Sequence, residues 1–233
     1  MELGREFKNY ATNHIGMSGL ELHYWEQFQN SLTPMILEER EMRVTQMSVF
    51  DRLLRDRIIW ISGAVNDRMS TIVQAQLMFL DNLEKKDITL HVDTGGGSVK
   101  SGLSIVDVMN YISSDISTIN TGIAASMGSI LLGAGTRGKR YSLKNSRVML
   151  HQVSSGTQGT LADMTISLKE AEKYNQKLFS MLGEFCGKNP EQVMADANRD
   201  FWMDSQETLD YGLIDGVIES KKNVDKKDSK KKK

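Results

Sequence analysis

The sequence is poor in several residue types: it has one cysteine, Cys186, two prolines, and aromatic residues at 7% of its 233 positions. A single cysteine excludes an internal disulfide framework and fits a reducing compartment, so we expect a cytoplasmic protein. Because Cys186 falls in a long helical pattern with no histidine near it, we expect it to fill core space. No apolar run approaches the length that spans a bilayer, and the first thirty residues lack the apolar stretch of a secretory signal. We therefore expect no membrane association.

Charge is distributed unevenly along the chain, although its net value is only −1. Residues 221–233 contain eight lysines and two aspartates, and without them 21 basic and 28 acidic residues remain, a net charge of −7. A lysine run of this kind is typical of a disordered, solvated tail. It has no aromatic residue on which a base could stack, so nucleic-acid binding is the weaker interpretation and we expect no nucleic-acid partner.

These patterns divide the chain into three segments. Residues 1–31 show no clean period and contain scattered aromatic residues, which fits a removable leader or an arm that docks on a neighbour. Residues 32–220 contain neither internal repeats nor a linker, so we predict a single domain there. Residues 221–233 form the predicted tail.

Strand and helix patterns alternate along the predicted domain. Runs rich in β-branched and apolar residues predict strands at 58–61, 87–93, 116–120, 140–143, 146–151 and 213–218. Helical periodicity predicts helices at 48–55, 67–83, 98–112, 160–186 and 205–211, and a further helix that begins at Pro190. In the helix at 67–83 the pattern places Ile72, Ala75, Gln76, Phe79 and Leu80 on one face, and Asp67 can cap the helix. Repeated β-α units predict an α/β fold with a mainly parallel sheet.

One stretch, from Asn120 to Gly135, contains the most informative serine. A strand rich in β-branched residues runs into small residues around Ser126, and a run of small and aliphatic residues follows that predicts a buried helix. Such a tight strand-to-helix turn is the setting of a nucleophile elbow, although the GxSxG pattern is absent. The alternative is that Ser126 only caps the helix, and this stretch by itself favours the cap.

Histidine is scarce after residue 31, so few residues could act as the base for this serine. His91 lies inside a predicted strand, whereas His151 ends one, at the edge of the sheet where βα loops place active sites. His151 is therefore the better candidate base, and the alternative is a histidine satisfied in the core. The carboxylates that could orient it are Asp163, Asp196, Asp200 and Asp204, and spacing does not choose among them.

Backbone N–H groups for an oxyanion hole are expected from two places. Met127 directly follows the serine, and the glycines at 95–97 end another predicted strand, where the backbone can approach a ligand closely. These glycines match a phosphate-binding loop only weakly, because neither GxGxxG nor GxxxxGK[ST] is present. Gly156 and Gly159 lie in a predicted edge strand, 154–159, that could bind an extended peptide by β-addition, but a plain turn fits the composition equally well.

Four segments resemble, in the same order and spacing, the motifs of the proteolytic subunit of Clp proteases, the ClpP family. The segments are Asp93-Thr-Gly-Gly-Gly97, Gly122-Ile-Ala-Ala-Ser126-Met-Gly128, Ser146-Arg-Val-Met-Leu-His151-Gln152 and Asn198-Arg-Asp200-Phe201. The resemblance covers roughly residues 33–219. It implies a crotonase-like α/β fold in which the long helix at about 160–186 is the handle that joins two heptameric rings.

The resemblance also implies the roles of individual residues and the partners of the chain. Ser126 would be the nucleophile, His151 the general base and Asp200 the carboxylate that orients it, while Gly97 and Met127 would donate to the oxyanion. The product would be short peptides cut from unfolded polypeptide inside a closed chamber. A hexameric AAA+ unfoldase such as ClpX, ClpA or ClpC would feed that chamber and use the ATP, so this chain would bind neither cofactor nor metal.

The chain departs from the family pattern at several positions. Gly95 replaces a proline, and Asn198 replaces an acidic residue that often pairs with an arginine of the facing ring. Two aromatic positions of the family's unfoldase-docking pocket fall on Thr89 and His91, whereas Tyr111 and Ile218 keep its usual character. These departures concern the partners and not the hydrolytic chemistry.

Two other functions are less well supported by the sequence. An acyl-CoA hydratase or isomerase of the same fold also uses paired backbone N–H groups, but it has no need of a serine, a histidine and an aspartate together. A catalytically silent subunit of a mixed ring is the other alternative, against which the intact Ser126, His151 and Asp200 argue.

Overall fold

The computed structural model describes residues 35–40 and 43–219. The predicted leader at 1–31 and the predicted tail at 221–233 lie outside the described residues. The described chain forms two compact units, divided between Asp56 and Arg57.

The smaller unit is an antiparallel ribbon followed by a short helix. Its elements are β1 (Met35–Arg40), β2 (Arg43–Ser48) and α1 (Val49–Arg55). β1 and β2 pair in a register that matches Met35 with Ser48. Ser48 also begins the helix, because its hydroxyl accepts the backbone N–H of Asp51 at 3.0 Å and the Asp51 carboxylate accepts the N–H of Ser48. This capping box ends the ribbon and begins α1, in agreement with the helix predicted at 48–55.

The larger unit alternates strands and helices along the chain. Its first half comprises β3 (Ile58–Ser62), α2 (Asp67–Leu83), β4 (Ile88–Thr94), α3 (Val99–Tyr111), β5 (Ile116–Ala125) and α4 (Met127–Gly133). Its second half comprises β6 (Arg140–Leu143), β7 (Arg147–Leu150), α5 (Leu161–Cys186), α6 (Pro190–Asp196), β8 (Phe201–Met203), α7 (Ser205–Tyr211) and β9 (Gly216–Ile218).

Seven strands of the larger unit form one sheet, in which β3, β4, β5, β6 and β9 run parallel in that order. β5 pairs with β6 near its middle and with β7 at its end, and the short β8 lies antiparallel to β7. The sheet confirms the predicted α/β class. β5 continues beyond the predicted end at Asn120 to Ala125, because its last residues pair with both β4 and β7.

Helix α2 buries only part of the face that the sequence pattern predicts: Leu80 is buried, together with Val73 and Leu77, which lie outside the predicted set. Ile72 and Phe79 are 48% and 55% exposed, and Asn66, not Asp67, caps the helix by accepting the N–H of Met69. The buried face includes Ser70, whose hydroxyl donates to the Ser101 carbonyl at 2.7 Å. A polar side chain can be buried when it is hydrogen-bonded in this way, and the spacing of apolar residues alone does not predict such a buried polar residue.

Helix α5 is the longest element, with 26 residues, and it extends well beyond the core. Its buried residues, Phe179, Leu182 and Gly183, all lie near its C-terminal end. Leu161 and Leu168, towards its N-terminus, are 81% and 51% exposed. Neither α5 nor any other helix of the described chain is apolar enough, at sufficient length, to cross a membrane.

Candidate active site

The register of three strands brings the sequence-predicted site residues together. Ala125 at the end of β5 pairs with Met149 of β7, and the N–H of the following residue, Ser126, donates to the Met149 carbonyl at 2.9 Å. Leu150 of β7 pairs with Phe201 of β8 in antiparallel register. The residue after Leu150 therefore faces the residue before Phe201, and these two residues are His151 and Asp200.

Ser126 has the backbone conformation of a strained turn. Its φ is 54° and its ψ is −122°, values that a residue other than glycine adopts only where the surrounding structure enforces them. Its side chain makes no capping hydrogen bond to helix α4, so the interpretation of Ser126 as a plain helix cap is wrong. The hydroxyl lies instead at the wall of a pocket that it shares with His151.

The Asp200 carboxylate faces the His151 ring. His151 Nδ1 lies 3.5 Å from Asp200 Oδ1, and the two side chains are 26% and 63% exposed. This distance exceeds that of a well-formed N–H···O bond, and hydrogen bonds of catalytic groups often shorten only when substrate binds. A carboxylate at this position can hold the ring in the tautomer that leaves Nε2 free to accept a proton.

The other candidate residues are engaged elsewhere. Asp163 accepts the Thr160 hydroxyl at 2.7 Å, Asp196 accepts the Tyr211 hydroxyl at 2.9 Å, and Asp204 caps α7. His91 stacks on the Trp60 ring, with 4.7 Å between the ring centroids. Of the six histidine and aspartate candidates, only His151 and Asp200 are therefore paired with each other.

The glycine loop after β4 lies directly against the serine turn. Gly96 has a φ of +94°, and a Cβ there would lie 2.7 Å from Ser126 Cβ and 2.9 Å from the Met127 nitrogen. Val65 donates to the Gly96 carbonyl and accepts the N–H of Ser98, so the N–H of Gly97 between them points away from Val65. Gly97 and Met127 thus present backbone at the same pocket, as an oxyanion hole requires.

The pocket is small, with a cavity volume of about 50 Å³, and is partly open to solvent. Gly97, Ser126, Met127 and His151 line it together. Its other lining residues include seven apolar ones, Val99, Ile130, Leu150, Val153, Leu178, Phe179 and Leu182, and four polar ones, Ser129, Gln152, Ser154 and Asn175. The pocket can therefore accept an apolar side chain next to the serine hydroxyl.

Gly156 and Gly159 do not line this pocket. Both are exposed, in a loop at 151–160 whose residues are all described and contain no strand. Of the two interpretations of this segment, the loop is the one that the structure shows. Whether an extended peptide binds there remains a prediction.

Two polar residues of the site were missed by the sequence analysis. The hydroxyl of Ser129 donates to the carbonyl of Ser126 at 2.7 Å, and the Asn175 side-chain oxygen accepts the N–H of Val153 at 3.0 Å. The spacing of Ser129, three residues after Ser126 in a predicted helix, was a usable signal. Nothing in the sequence links Asn175 to a residue 22 positions earlier.

Cys186 is half-buried at the end of α5, and burial raises the pKa of its thiol to about 11. A thiol with so high a pKa is a poor nucleophile at neutral pH, in agreement with the expected packing role. Within the described part of the chain, no group of three or more histidine, cysteine, aspartate and glutamate side chains is arranged to hold a metal ion.

The chemistry open to this pocket is the transfer of a proton from a serine hydroxyl to an imidazole, followed by addition of the oxygen to a carbonyl. That chemistry defines the class of serine hydrolases. The family to which the chain belongs follows from its similarity to known proteins.

A sequence model of the Clp protease family matches residues 39–221. The chain is 45% identical to an "ATP-dependent Clp protease proteolytic subunit" of Porphyromonas gingivalis, over 92% of this chain and 97% of the relative. Proteins of the same description from Bacteroides fragilis and Bacteroides thetaiotaomicron are also 45% identical, each over 91% of this chain and 98% of the relative. The chain belongs to the Clp protease family, and it is a serine peptidase. None of these similarities favours an acyl-CoA hydratase or a silent subunit.

Proposed function

We propose that this chain is the proteolytic subunit of an ATP-dependent Clp protease and that it cleaves unfolded polypeptides to short peptides. The observation that carries the proposal is the position of Ser126. Its strained turn places the hydroxyl in one pocket with His151 and with the backbone of Gly97 and Met127.

The proposed reaction begins when His151 Nε2 accepts the proton of the Ser126 hydroxyl as the oxygen attacks the peptide carbonyl. Asp200 orients the ring from the Nδ1 side. The N–H groups of Gly97 and Met127 donate to the oxyanion that forms. His151 then gives the proton to the departing amine, and water hydrolyses the acyl-enzyme by the same proton transfers in turn.

We further propose that the residue on the acyl side of the cleaved bond is preferentially apolar. The wall of the pocket beyond the serine is built from aliphatic and aromatic side chains, among them Leu150, Leu178 and Phe179. Burial of an apolar side chain contributes about 1.5–3 kcal/mol relative to leaving it in water, enough to select among substrates.

The relatives are described as ATP-dependent, which supports a separate subunit that uses the ATP. We propose that this chain forms two stacked heptameric rings in the cytoplasm, alone or mixed with a paralogue, without a cofactor of its own. An AAA+ unfoldase such as ClpX, ClpA or ClpC would feed the rings. The exposed Tyr111 and the stacked Trp60 and His91 leave aromatic surface on which such a partner could dock, although Thr89 does not contribute to it.

The test is intact-protein mass spectrometry after treatment with a fluorophosphonate probe, on the wild-type protein and on Ser126→Ala. We expect one adduct per subunit in the wild type, none in the variant, and the same assembly for both by analytical ultracentrifugation. An adduct that persists in Ser126→Ala, or no adduct on the assembled wild type, would refute the proposed site.

A further inference from the structure

We infer that Ser129 is a positioning residue for the oxyanion hole: its hydroxyl fixes the peptide unit that joins Ser126 to Met127. The inference rests on the proposed function, since it concerns the N–H group that we assign to the oxyanion. Its evidence is a pair of hydrogen bonds that end on the carbonyl of the proposed nucleophile.

Both polar groups of Ser129 that can donate are used on that carbonyl. The Ser129 hydroxyl donates to the backbone carbonyl oxygen of Ser126 at 2.7 Å, and the backbone N–H of Ser129 donates to the same oxygen at 3.0 Å. Ser129 is 2% exposed, so these bonds do not compete with bulk water. On the other side of Ser126, its N–H donates to the Met149 carbonyl at 2.9 Å. The strained residue is therefore held through the peptide groups on both of its sides.

The Ser126 carbonyl and the Met127 N–H belong to one planar peptide unit. The described chain has no cis peptide bond, so these two groups point in opposite directions. Holding the oxygen towards Ser129 therefore directs the Met127 N–H the other way, towards the glycine loop, where a Gly96 Cβ would lie 2.9 Å from its nitrogen. Hydrogen bonds to the oxygen of an amide also polarise it, which makes its N–H a stronger donor.

A structural explanation of the Ser129 hydroxyl is available, because serine side chains in helices commonly bond to a carbonyl one turn earlier. The packing role and the positioning role predict different effects of removing the hydroxyl. A helix-packing role predicts an effect on stability, whereas a role in the oxyanion hole predicts an effect on the transition state alone. Ser104 provides the matched control, since its hydroxyl also donates to a carbonyl one turn earlier, Lys100, at 3.0 Å and outside the pocket.

The experiment compares wild type, Ser129→Ala, Ser129→Thr and Ser104→Ala in peptide hydrolysis and in binding of a peptide aldehyde, whose adduct carries the oxyanion. For Ser129→Ala we expect kcat to fall about 5- to 30-fold, less than the 10²- to 10³-fold loss of a whole oxyanion donor. We expect KM to stay within about twofold, because the interaction strengthens only in the transition state. Aldehyde affinity should fall by the same factor as kcat, and Ser129→Thr should restore both.

Equal kcat and aldehyde affinity in Ser129→Ala and wild type would overturn the inference while leaving the proposed site intact. A loss of activity that tracks a lower melting temperature or disassembly, or that Ser104→Ala shares, would overturn it in favour of a packing role. Fluorophosphonate labelling of the wild type distinguishes failure of the proposed function from failure of this inference alone. An unlabelled wild-type protein refutes the proposed function, and this inference with it.

Discussion

Single residues at the turn after β5 must fit a space in which several backbone segments meet. Gly96 and Gly128 are both glycines because a Cβ would collide: at Gly96 with Ser126, and at Gly128 with the Thr94 carbonyl at 2.9 Å. Ser126 is the one residue there with a side chain directed at the pocket and a positive φ. The small residues around Ser126 predicted from the sequence that the backbone comes close to other atoms there. The sequence did not predict which atoms those are.

Substitution of Gly96 by alanine is expected to abolish peptidase activity. The new Cβ would lie 2.7 Å from Ser126 Cβ and 2.9 Å from the Met127 nitrogen, and Gly96 has a φ of +94° that alanine adopts only with strain. The turn must move to relieve these contacts, so kcat/KM should fall at least ~100-fold, as when an oxyanion donor is lost. Peptide hydrolysis by the purified variant measures this.

Gly95→Ala is the control for that substitution, because a Cβ at Gly95 meets no atom within 4 Å. We expect it to retain activity within a few-fold of wild type. Similar losses in both variants would show that the loop needs flexibility in general, and would contradict a specific steric conflict at Gly96.

Among the elements, the loop at 151–160 depends on helix α5. The loop begins at His151, and its third residue, Val153, donates its N–H to the side chain of Asn175 on α5 at 3.0 Å. Gln152 donates to Asn198, two residues before Asp200, at 3.0 Å. The residues that follow the proposed base are therefore held on one side by the long helix and on the other by the segment that carries the carboxylate.

Asn175→Ala is expected to weaken substrate binding and catalysis together. Without the acceptor, the Val153 N–H loses its partner in a half-buried position, which costs about 1–3 kcal/mol and loosens the pocket wall. Steady-state hydrolysis of an apolar peptide should show a higher KM and a kcat reduced several-fold. Asn175→Asp retains an acceptor oxygen and should restore most of the activity, while Gln176→Ala, exposed on the same helix, should have no effect. Equal activity in all three variants would contradict the role of Asn175.

The alternation of strands and helices was predictable because each element carries its own period, and α5 stands out by its length and its lack of breakers before Gly183. The end of β5 could not be predicted from the sequence, because its last residues are small and show no alternation of apolar and polar side chains. The face of α2 was only partly predicted because apolar residues lie on both sides of the helix: Val73, Leu77 and Leu80 are buried, whereas Ile72 and Phe79 are exposed. The choice of Asp200 depends on the pairing of β7 with β8, which a sequence pattern does not contain.

At the scale of the whole molecule, the single chain leaves large apolar side chains on a projecting helix. Leu161 is 81% exposed and Leu168 is 51% exposed, and the two lie seven residues apart, on one face of α5. Exposed apolar surface of this kind marks an interaction site. The proposed double ring would cover it.

Leu168→Lys is therefore expected to break the larger assembly into smaller species by placing a charge in the covered surface. Sedimentation velocity should show the shift in mass, and peptidase activity should fall with it, while the far-ultraviolet circular dichroism of the subunit stays unchanged. Ser180→Lys adds the same charge at an exposed polar position nearer the C-terminal end of α5 and should assemble like wild type. If Leu168→Lys also sediments like wild type, the projecting helix is not the contact between rings.

The pairing of β8 with β7 rests on only three residues, Phe201–Met203, and yet it places the carboxylate beside the histidine. A strand this short can separate from its neighbour at little cost, and the parallel part of the sheet with Ser126 remains in place when it does. Opening of β8 would therefore leave a folded subunit in which Asp200 no longer faces His151, the proposed base. We therefore expect the activity of the serine to depend on a pairing of three residues, although Ser126 itself follows a strand of the parallel sheet.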